Sequence, residues 1–259
     1  MMKIATFNAN SIRSRIGPVC KWLAEHKPDV LAIQETKVQD DAFPIDAFAE
    51  TGYHVIFRGE KKYNGVALFS RVKPMHIREK LPGDTDDEAR FLQADYDGVT
   101  VVNTYIPQGR EMTSEKFQYK LRWFGRLKEY FAKTFKADSK LIWLGDLDVA
   151  RQAVDVHDPK GLWGSVCYCK EVQDAFEEVM ALGLTDVFRL HHPDQSGLYT
   201  FWDYRVPNGF KRNLGWRIDY IIASAPLAAR CTHCEIDTAP RVAEKPSDHT
   251  FLWAQFKTD

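Results

Sequence analysis

The hydrophobic pattern near the start of the chain predicts a β-α-β unit. Residues 3–7 alternate as a strand, residues 19–26 carry the apolar face of a helix, and residues 30–34 form the apolar run of a buried strand. Pro28 ends the helix, because the residue before a proline avoids helical backbone. Both strands run directly into polar residues.

The rest of the chain continues this alternation of strands and helices. Further strands are predicted at residues 53–58, 65–70, 75–79, 91–96, 99–105, 141–144, 200–204, 216–223, 231–237 and 250–256, and further helices at about 114–135 and 172–182. No Gly/Ser/Pro-rich linker separates the two halves, so we expect one α/β domain over residues 1–259. Two sheets packed face to face with helices outside would bury these surfaces, although periodicity alone does not fix the number of layers.

The apolar run at residues 141–144 leads into two carboxylates, Asp146 and Asp148, after Gly145. If extended backbone continues past the glycine, both side chains point to the same side, at the sheet edge where α/β proteins bind ligands. Carboxylates leaving a buried strand require a metal ion, water or a cation as partner. The alternative interpretation is a solvated turn capped by Asp146.

Composition narrows the class of protein. The chain has 44% hydrophobic residues, enough for a sizeable core, and no apolar run long enough to span a membrane. Its start has no signal-peptide pattern, and five cysteines are an odd number for a disulfide scaffold, so we expect a reducing, cytoplasmic location. Cys231 and Cys234 have zinc-knuckle spacing, but buried or idle thiols are the favoured interpretation.

The net charge of −1 excludes a protein coated with basic surface, but local clusters remain. Lysines and arginines concentrate at residues 58–62, 110–120 and 205–217, and such clusters set the field at a groove whatever the net charge is. Charge runs are commonly solvated faces, so this pattern permits a nucleic-acid partner without requiring one.

Polar side chains that suit metal-assisted hydrolysis gather where the predicted strands end. They are Asn8, Asn10, Glu35, Tyr105, Asp146, Asp148, Asp219, Asp248 and His249. Oxygen ligands of this kind suit Mg²⁺, and a histidine held by a second carboxylate suits a developing negative charge. No Gly-x-Ser-x-Gly elbow occurs. The favoured chemistry is therefore attack of metal-activated water on phosphorus. Taken singly, each residue has an ordinary structural explanation, such as a turn or a satisfied histidine.

Several motifs resemble the exonuclease III family of apurinic/apyrimidinic (AP) endonucleases. They are Phe7-Asn-Ala-Asn10, Ile33-Gln-Glu-Thr-Lys37, Gly65-Val-Ala67, Asn103-Thr-Tyr-Ile-Pro-Gln-Gly109, Gly145-Asp-Leu147, Asp155-Val-His-Asp158, Trp202-Asp-Tyr-Arg205, Arg217-Ile-Asp-Tyr220 and Ser247-Asp-His249. The resemblance extends in order from residue 3 to about 256. It implies a four-layer α/β sandwich, two mixed sheets flanked by helices. It also implies Mg²⁺-dependent cleavage of DNA 5′ to an abasic site, often with 3′→5′ exonuclease and 3′-repair activities.

The resemblance also implies residue roles. Glu35 would be the principal ligand of Mg²⁺ (or Mn²⁺), with Asn10 and Asp248 near the metal or its waters. Asp146 would deprotonate the attacking water, and His249, oriented by Asp219, would bind the scissile phosphate. Tyr105 and Asn8 would hold phosphate or metal-bound water.

The partner implied is double-stranded DNA with abasic sites or 3′ ends. Contacts with the DNA would come from Gln108, Arg110, Lys116, Lys120, Arg205 and Asn213. The extruded abasic sugar would enter an apolar pocket of Phe201, Trp216 and Ile218, although aromatics near a sheet are commonly core residues. A monomer is expected.

Position 148 departs from the family pattern, which has asparagine after Gly-Asp-Leu. An ionised aspartate accepts hydrogen bonds but cannot donate one. It also places a second carboxylate near Asp146, and nearby carboxylates raise each other's pKa. Losing one preorganised donor costs about two to three orders of magnitude in rate. We therefore expect weakened or metal-shifted catalysis. There are two alternatives. One is a catalytically silent protein that binds abasic DNA, and the other is a phosphatase or phosphodiesterase of the same superfamily that acts on another substrate.

Overall fold

Two six-stranded β-sheets form the centre of the molecule in a computed structural model that describes residues 1–258. The strands are β1 (Met2–Asn8), β2 (Val30–Gln34), β3 (His54–Arg58), β4 (Val66–Ser70), β5 (Met75–Arg78), β6 (Phe91–Tyr96), β7 (Val99–Tyr105), β8 (Leu141–Asp146), β9 (Leu184–Asp186), β10 (Asp219–Ser224), β11 (Cys231–Asp237) and β12 (Phe251–Phe256). Asp259, the last residue of the predicted domain, lies outside the described residues.

Each sheet contains one parallel pair of strands near its middle. The first sheet has the order β11-β12-β1-β2-β4-β3 and the second has the order β5-β6-β7-β8-β10-β9. Strand β1 runs parallel to β2, and β7 runs parallel to β8, while the other pairs are antiparallel. The carboxyl ends of both parallel pairs end in polar residues.

The central strands are buried on both faces because alternate residues pack in different layers. In β8, Ile142 and Leu144 face the apolar layer between the sheets, whereas Leu141 and Trp143 pack under the helices of the second sheet. The first sheet packs its other face under its own helix in a third cluster. This alternation gives helix, sheet, sheet and helix layers, and the predicted four-layer sandwich is confirmed.

The helices cover the outer faces of the sheets. They are α1 (Ile16–His26), α2 (Glu115–Thr134), α3 (Lys170–Met180), α4 (Val187–His191) and α5 (Ala225–Ala228), with short 3₁₀ helices at Ile12–Ser14, Asp40–Ala42, Ile45–Thr51, Ala153–Asp155 and Ala239–Val242. The Ser114 hydroxyl caps α2 by accepting from the Phe117 amide. No helix in residues 1–258 has both the length and the apolar surface needed to cross a membrane.

Two predicted strands near the C-terminal third are wrong in extent. Residues 200–204 form no strand; Phe201 makes only isolated bridges to Trp216 and His249. The strand predicted at 216–223 begins at Asp219. Three apolar residues of these segments, Phe201, Trp216 and Ile218, line a cavity instead of extending a sheet. The short elements β9, α4 and α5 were not predicted.

Candidate active site

The carboxyl ends of β1, β2, β7 and β8 meet the start of β10 at one end of the sandwich, beside a cavity of about 540 Å³. The cavity brings together residues from seven separate stretches of chain. Of the predicted site residues it is lined by Glu35, Tyr105, Gln108, Arg110, Asp146, Asp148, Phe201, Arg205, Trp216, Ile218, Asp248 and His249. Asn8 and Asp219 are fully buried, and each hydrogen-bonds to residues that line the cavity.

On the side of the first sheet, Glu35 lies between an amide and an ammonium group. Asn8 Nδ2 donates to Glu35 Oε1 at 2.7 Å and to Asp146 Oδ2 at 2.8 Å, so one amide joins the two sheets. Lys37 Nζ lies 2.6 Å from Glu35 Oε2 and donates to Asn10 Oδ1 at 2.5 Å. Burial alone would raise the pKa of Glu35, but Lys37 and Asn8 outweigh it and lower the pKa.

The backbone around Glu35 and Asn10 is in the left-handed region at several non-glycine residues. The φ angles are 42° at Asn10, 88° at Ser11, 50° at Glu35 and 54° at Lys37. Such conformations cost free energy and cluster at functional sites. The Ser11 amide donates to the Glu35 carbonyl at 2.8 Å, which links the two strained segments.

On the side of the second sheet, a histidine lies between two aspartates. His249 Nδ1 is 2.8 Å from Asp219 Oδ2, and His249 Nε2 is 3.7 Å from Asp146 Oδ2. Burial alone would lower the pKa of His249, but Asp219 and Asp146 outweigh it and raise the pKa to about 10. The imidazole therefore carries a positive charge toward the cavity at neutral pH.

Asp146 ends β8 and caps the turn that follows. Its Oδ1 accepts from the Asp148 amide at 3.1 Å, and Asp148 has a φ of 50°, so extended backbone does not continue past Asp146. Both carboxylates still line the cavity, because the turn is buried rather than solvated. Burial and the neighbouring Asp148 raise the pKa of Asp146, and burial likewise raises the pKa of Asp148.

Asp148 has a partner that sequence reasoning missed. Cys167 Sγ donates to Asp148 Oδ1 at 3.4 Å, and burial raises the pKa of Cys167, which keeps it as a thiol. A thiol is a weak donor, but a carboxylate is a strong acceptor. Nothing in the local sequence relates positions 148 and 167, because the chain between them loops away from the cavity.

The prediction that Lys120 contacts DNA is wrong. Its side chain is fully buried, and its ammonium donates to three carbonyl oxygens, at 3.1 Å in Gln108, 2.6 Å in Asp148 and 2.8 Å in Val166. Helical spacing placed Lys120 away from the Phe117 stripe, but loops cover that face. Through these hydrogen bonds Lys120 links three loops that border the cavity.

Phe201, Trp216 and Ile218 lie on one wall of the cavity. The Phe201 ring is 4.8 Å from the His249 ring, and Phe201 pairs with Trp216 through mutual backbone hydrogen bonds of 2.9 Å. Behind this wall, the fully buried Arg217 donates to Asp155 at 2.7 Å and lies 2.8 Å from Asp186. This paired charge fixes the segment that carries Trp216 and Ile218.

The other predicted DNA contacts differ in their surroundings. Lys116 is exposed on α2, and the exposed Arg205 guanidinium is paired with Asp203 at 2.6 Å. Asn213 uses its amide locally, accepting from Trp202 Nε1 at 3.2 Å and donating to the Gly197 carbonyl at 2.9 Å. Tyr105 packs under the Arg90 guanidinium, 4.8 Å from the ring centroid.

The donor set can hold a hard metal ion. Ligand atoms of Glu35, Asp146 and His249 lie within 4.8 Å of one another, and this is the only such group among residues 1–258. Asn10 Nδ2 donates to Asp248 Oδ1 at 2.9 Å, which turns the Asn10 oxygen toward Glu35 and Lys37. The Lys37 ammonium thus lies between the side-chain oxygens of Glu35 and Asn10, where a metal ion would find two oxygen ligands. The cysteines, all of them free thiols, take no part in the group.

A cluster of carboxylates and a histidine at one end of two packed mixed sheets is typical of a class of hydrolytic enzyme, and comparison with known proteins identifies the family. The profile of the Endonuclease/Exonuclease/phosphatase family matches residues 5–249. The chain belongs to this family.

The names of similar proteins in the family describe reactions on DNA. It is 34% identical over 268 residues to exodeoxyribonuclease III of Haemophilus influenzae, covering 99% of this chain and 100% of that protein. An AP endonuclease structure from Archaeoglobus fulgidus is 48% identical with a TM-score of 0.97, covering 100% of both chains. A 3′ phosphatase, NExo, from Neisseria bound to a product DNA hairpin is 37% identical with a TM-score of 0.95, again covering 100% of both. The predicted exonuclease III-type family is confirmed.

Proposed function

We propose that this protein is a Mg²⁺-dependent AP endonuclease that hydrolyses the phosphodiester bond 5′ to an abasic site in double-stranded DNA. The observation that carries the proposal is the joining of Glu35, Asp146 and His249 around one cavity with an apolar wall. The products would be a 3′-hydroxyl and a 5′ deoxyribose phosphate. The proteins similar to it include an AP endonuclease at 48% identity.

Glu35 would be the principal ligand of the metal ion, with Asn10 and Asp248 near the metal or its waters. All three offer oxygen atoms, which Mg²⁺ prefers, and Mn²⁺ takes similar ligands. When bound, the ion would supply a Lewis acid that polarises the phosphate oxygen. Lys37 would shift from Glu35 to the phosphate or to solvent as the ion enters, because both cations need the same oxygen atoms.

Asp146 would take the proton of the attacking water. Burial raises its pKa, which makes the carboxylate a stronger base. Asn8 donates to Asp146 Oδ2 while Oδ1 accepts from the Asp148 amide, so the carboxylate has a fixed orientation. Water bound against it would have one direction of approach.

His249 would stabilise the negative charge that develops on the phosphate. Its Nδ1 faces Asp219 at 2.8 Å, which leaves Nε2 as the donor toward the cavity. A donor fixed before the reaction begins stabilises the transition state without reorganisation. Tyr105, which also lines the cavity, would contribute a hydroxyl donor.

Phe201, Trp216 and Ile218 would accept the extruded abasic sugar. A sugar without its base has lost stacking and pairing, so extrusion costs less than for an intact nucleotide. Gln108, Arg110 and the exposed Lys116 would contact the DNA backbone, and binding would weaken with salt. The protein would act as a single-domain monomer on DNA inside the cell.

A 3′-end-processing activity is the second candidate. In two structures, each with a TM-score of 0.95, the Neisseria protein NExo is called a 3′-5′ exonuclease and a 3′ phosphatase. The same cavity would then hold a terminal nucleotide or phosphate instead of an internal abasic site.

The test is incubation with an end-labelled duplex bearing one internal abasic analogue, with and without Mg²⁺. One product of defined length that appears only with Mg²⁺ supports the endonuclease, and a ladder from the 3′ end supports the exonuclease. A parallel duplex with a 3′ phosphate reports phosphatase activity. Tight abasic-duplex binding with no product at any Mg²⁺ or Mn²⁺ concentration would instead mean a silent DNA-binding protein.

A further inference from the structure

An exposed tryptophan lies on the loop of residues 158–168, two positions before the first residue of this loop that lines the cavity. Trp163 is 52% exposed, although tryptophan is largely buried in most proteins. Ser165, Val166 and Cys167, which follow it closely on the same loop, line the cavity. If the cleft binds DNA as proposed, an aromatic side chain beside it can stack on a nucleobase.

The 158–168 loop holds Trp163 in place by its own hydrogen bonds. Gly161 donates to Asp158 Oδ1 at 2.9 Å, and the Leu162 amide donates to the Asp158 carbonyl at 3.0 Å. The Gly164 amide donates to the Tyr168 carbonyl at 3.0 Å, with a φ of 88° at Gly164. The loop is therefore an ordered turn.

The indole is connected to the abasic pocket wall through packed side chains. Its ring contacts Tyr168 edge-on, with centroids 5.0 Å apart. Tyr168 belongs to a small cluster with Ala150 and Val156, against which Leu162 and Trp216 pack. Trp216 lines the cavity, so Trp163 is the solvent-exposed end of one continuous apolar cluster.

We propose that Trp163 is a stacking subsite for a nucleobase of the DNA duplex next to the lesion. This inference rests on the proposed function. About half of the Trp163 side chain is open to solvent, and every base presents a π-face, so the subsite would be tolerant of sequence. The same loop carries the exposed Lys160, whose positive charge suits a backbone phosphate.

A tryptophan fixed in advance costs little conformational entropy when it stacks. Trp163 therefore supports binding and registration of the duplex, and it contributes to KM more than to kcat. Stacking is also insensitive to salt, in contrast to phosphate contacts.

The test uses a duplex with an abasic analogue and 2-aminopurine at either neighbouring position, bound without divalent ions. Wild-type protein should quench the 2-aminopurine on one side of the lesion. Trp163→Ala should abolish that quenching and weaken binding about tenfold, while the dependence of affinity on salt keeps its slope. Trp163→Phe should restore much of the affinity.

Met75→Ala is the matched control, because Met75 is 54% exposed on β5 and pairs with Asp95 near the hairpin end of the sheet, away from the cavity. Equal affinity and equal 2-aminopurine fluorescence for wild type and Trp163→Ala would overturn the subsite while leaving cleavage intact. Failure of the wild type to bind the abasic duplex would overturn the proposed function, and the subsite with it.

Discussion

Each sheet delivers a carboxylate to the cavity from a parallel pair of strands, β1 with β2 and β7 with β8. Glu35 follows β2 beside an ammonium group, and its pKa is lowered. Asp146 ends β8 beside a second carboxylate, and its pKa is raised. The two strand ends are alike in topology, but their neighbours differ. One side therefore suits a metal ion, and the other suits proton transfer.

The largest effect is expected from removing the base on the second side. Asp146→Asn keeps the shape but has one oxygen instead of two, so it can accept from either Asn8 or the Asp148 amide but not from both. Because it also lacks a carboxylate that can take the proton, turnover should fall about 10³- to 10⁴-fold. Affinity for the abasic duplex should change less than threefold. Single-turnover cleavage and binding titrations measure both, and Glu177→Gln on α3, a half-exposed carboxylate paired with Arg151, is the control. A variant with near-normal turnover would show that Asp146 is not the base.

Position 148 tests the like-charge contact on the same side. Asp148→Asn should raise turnover at least tenfold, because it supplies an amide donor and removes a carboxylate near Asp146. An unchanged rate in Asp148→Asn would contradict the role assigned to this position.

The pH dependence of the free energy of unfolding should reveal how much charged His249 stabilises the protein. The pKa of His249 is raised from its ordinary value of 6.5 to about 10, so its contribution to stability is complete below pH 6.5. That contribution is lost as the pH rises from there through about 10. In metal-free protein, His249→Gln should lose this decline in the free energy of unfolding. Urea denaturation at several pH values checks it, and parallel wild-type and variant curves would exclude the pairing.

The smallest effect concerns backbone strain on the first side. Ser11 has φ 88° and ψ 105°, a conformation that glycine adopts more readily. Ser11→Gly should stabilise the protein by about 1 kcal/mol, less the entropy that glycine adds to the unfolded chain. Thermal unfolding measures it, with Ser14→Gly as a control in the adjoining 3₁₀ helix. A lower melting temperature for Ser11→Gly would mean that the strain is already relieved.

The sequence determined the fold class and the membership of the site. The apolar pattern predicted most strands. A strand buried on one face alternates apolar and polar residues, and a strand buried on both faces is a continuous apolar run. Glu35, Asp146 and His249 were predicted from their place after or beside strands, together with the motifs around them. The strand predicted at residues 200–204 failed because a cavity wall leaves the same apolar pattern as a sheet.

Only the tertiary structure decided which charges are partners. Lys120 has the spacing of a surface lysine, but three loops close over it and supply carbonyl acceptors. Cys167 reaches Asp148 across 19 positions, and Lys37 joins Glu35 to Asn10. Such contacts depend on how the loops pack against each other, and the local pattern of residues does not predict loop packing. The strand pattern therefore set the framework, and long-range packing set the electrostatics of the site.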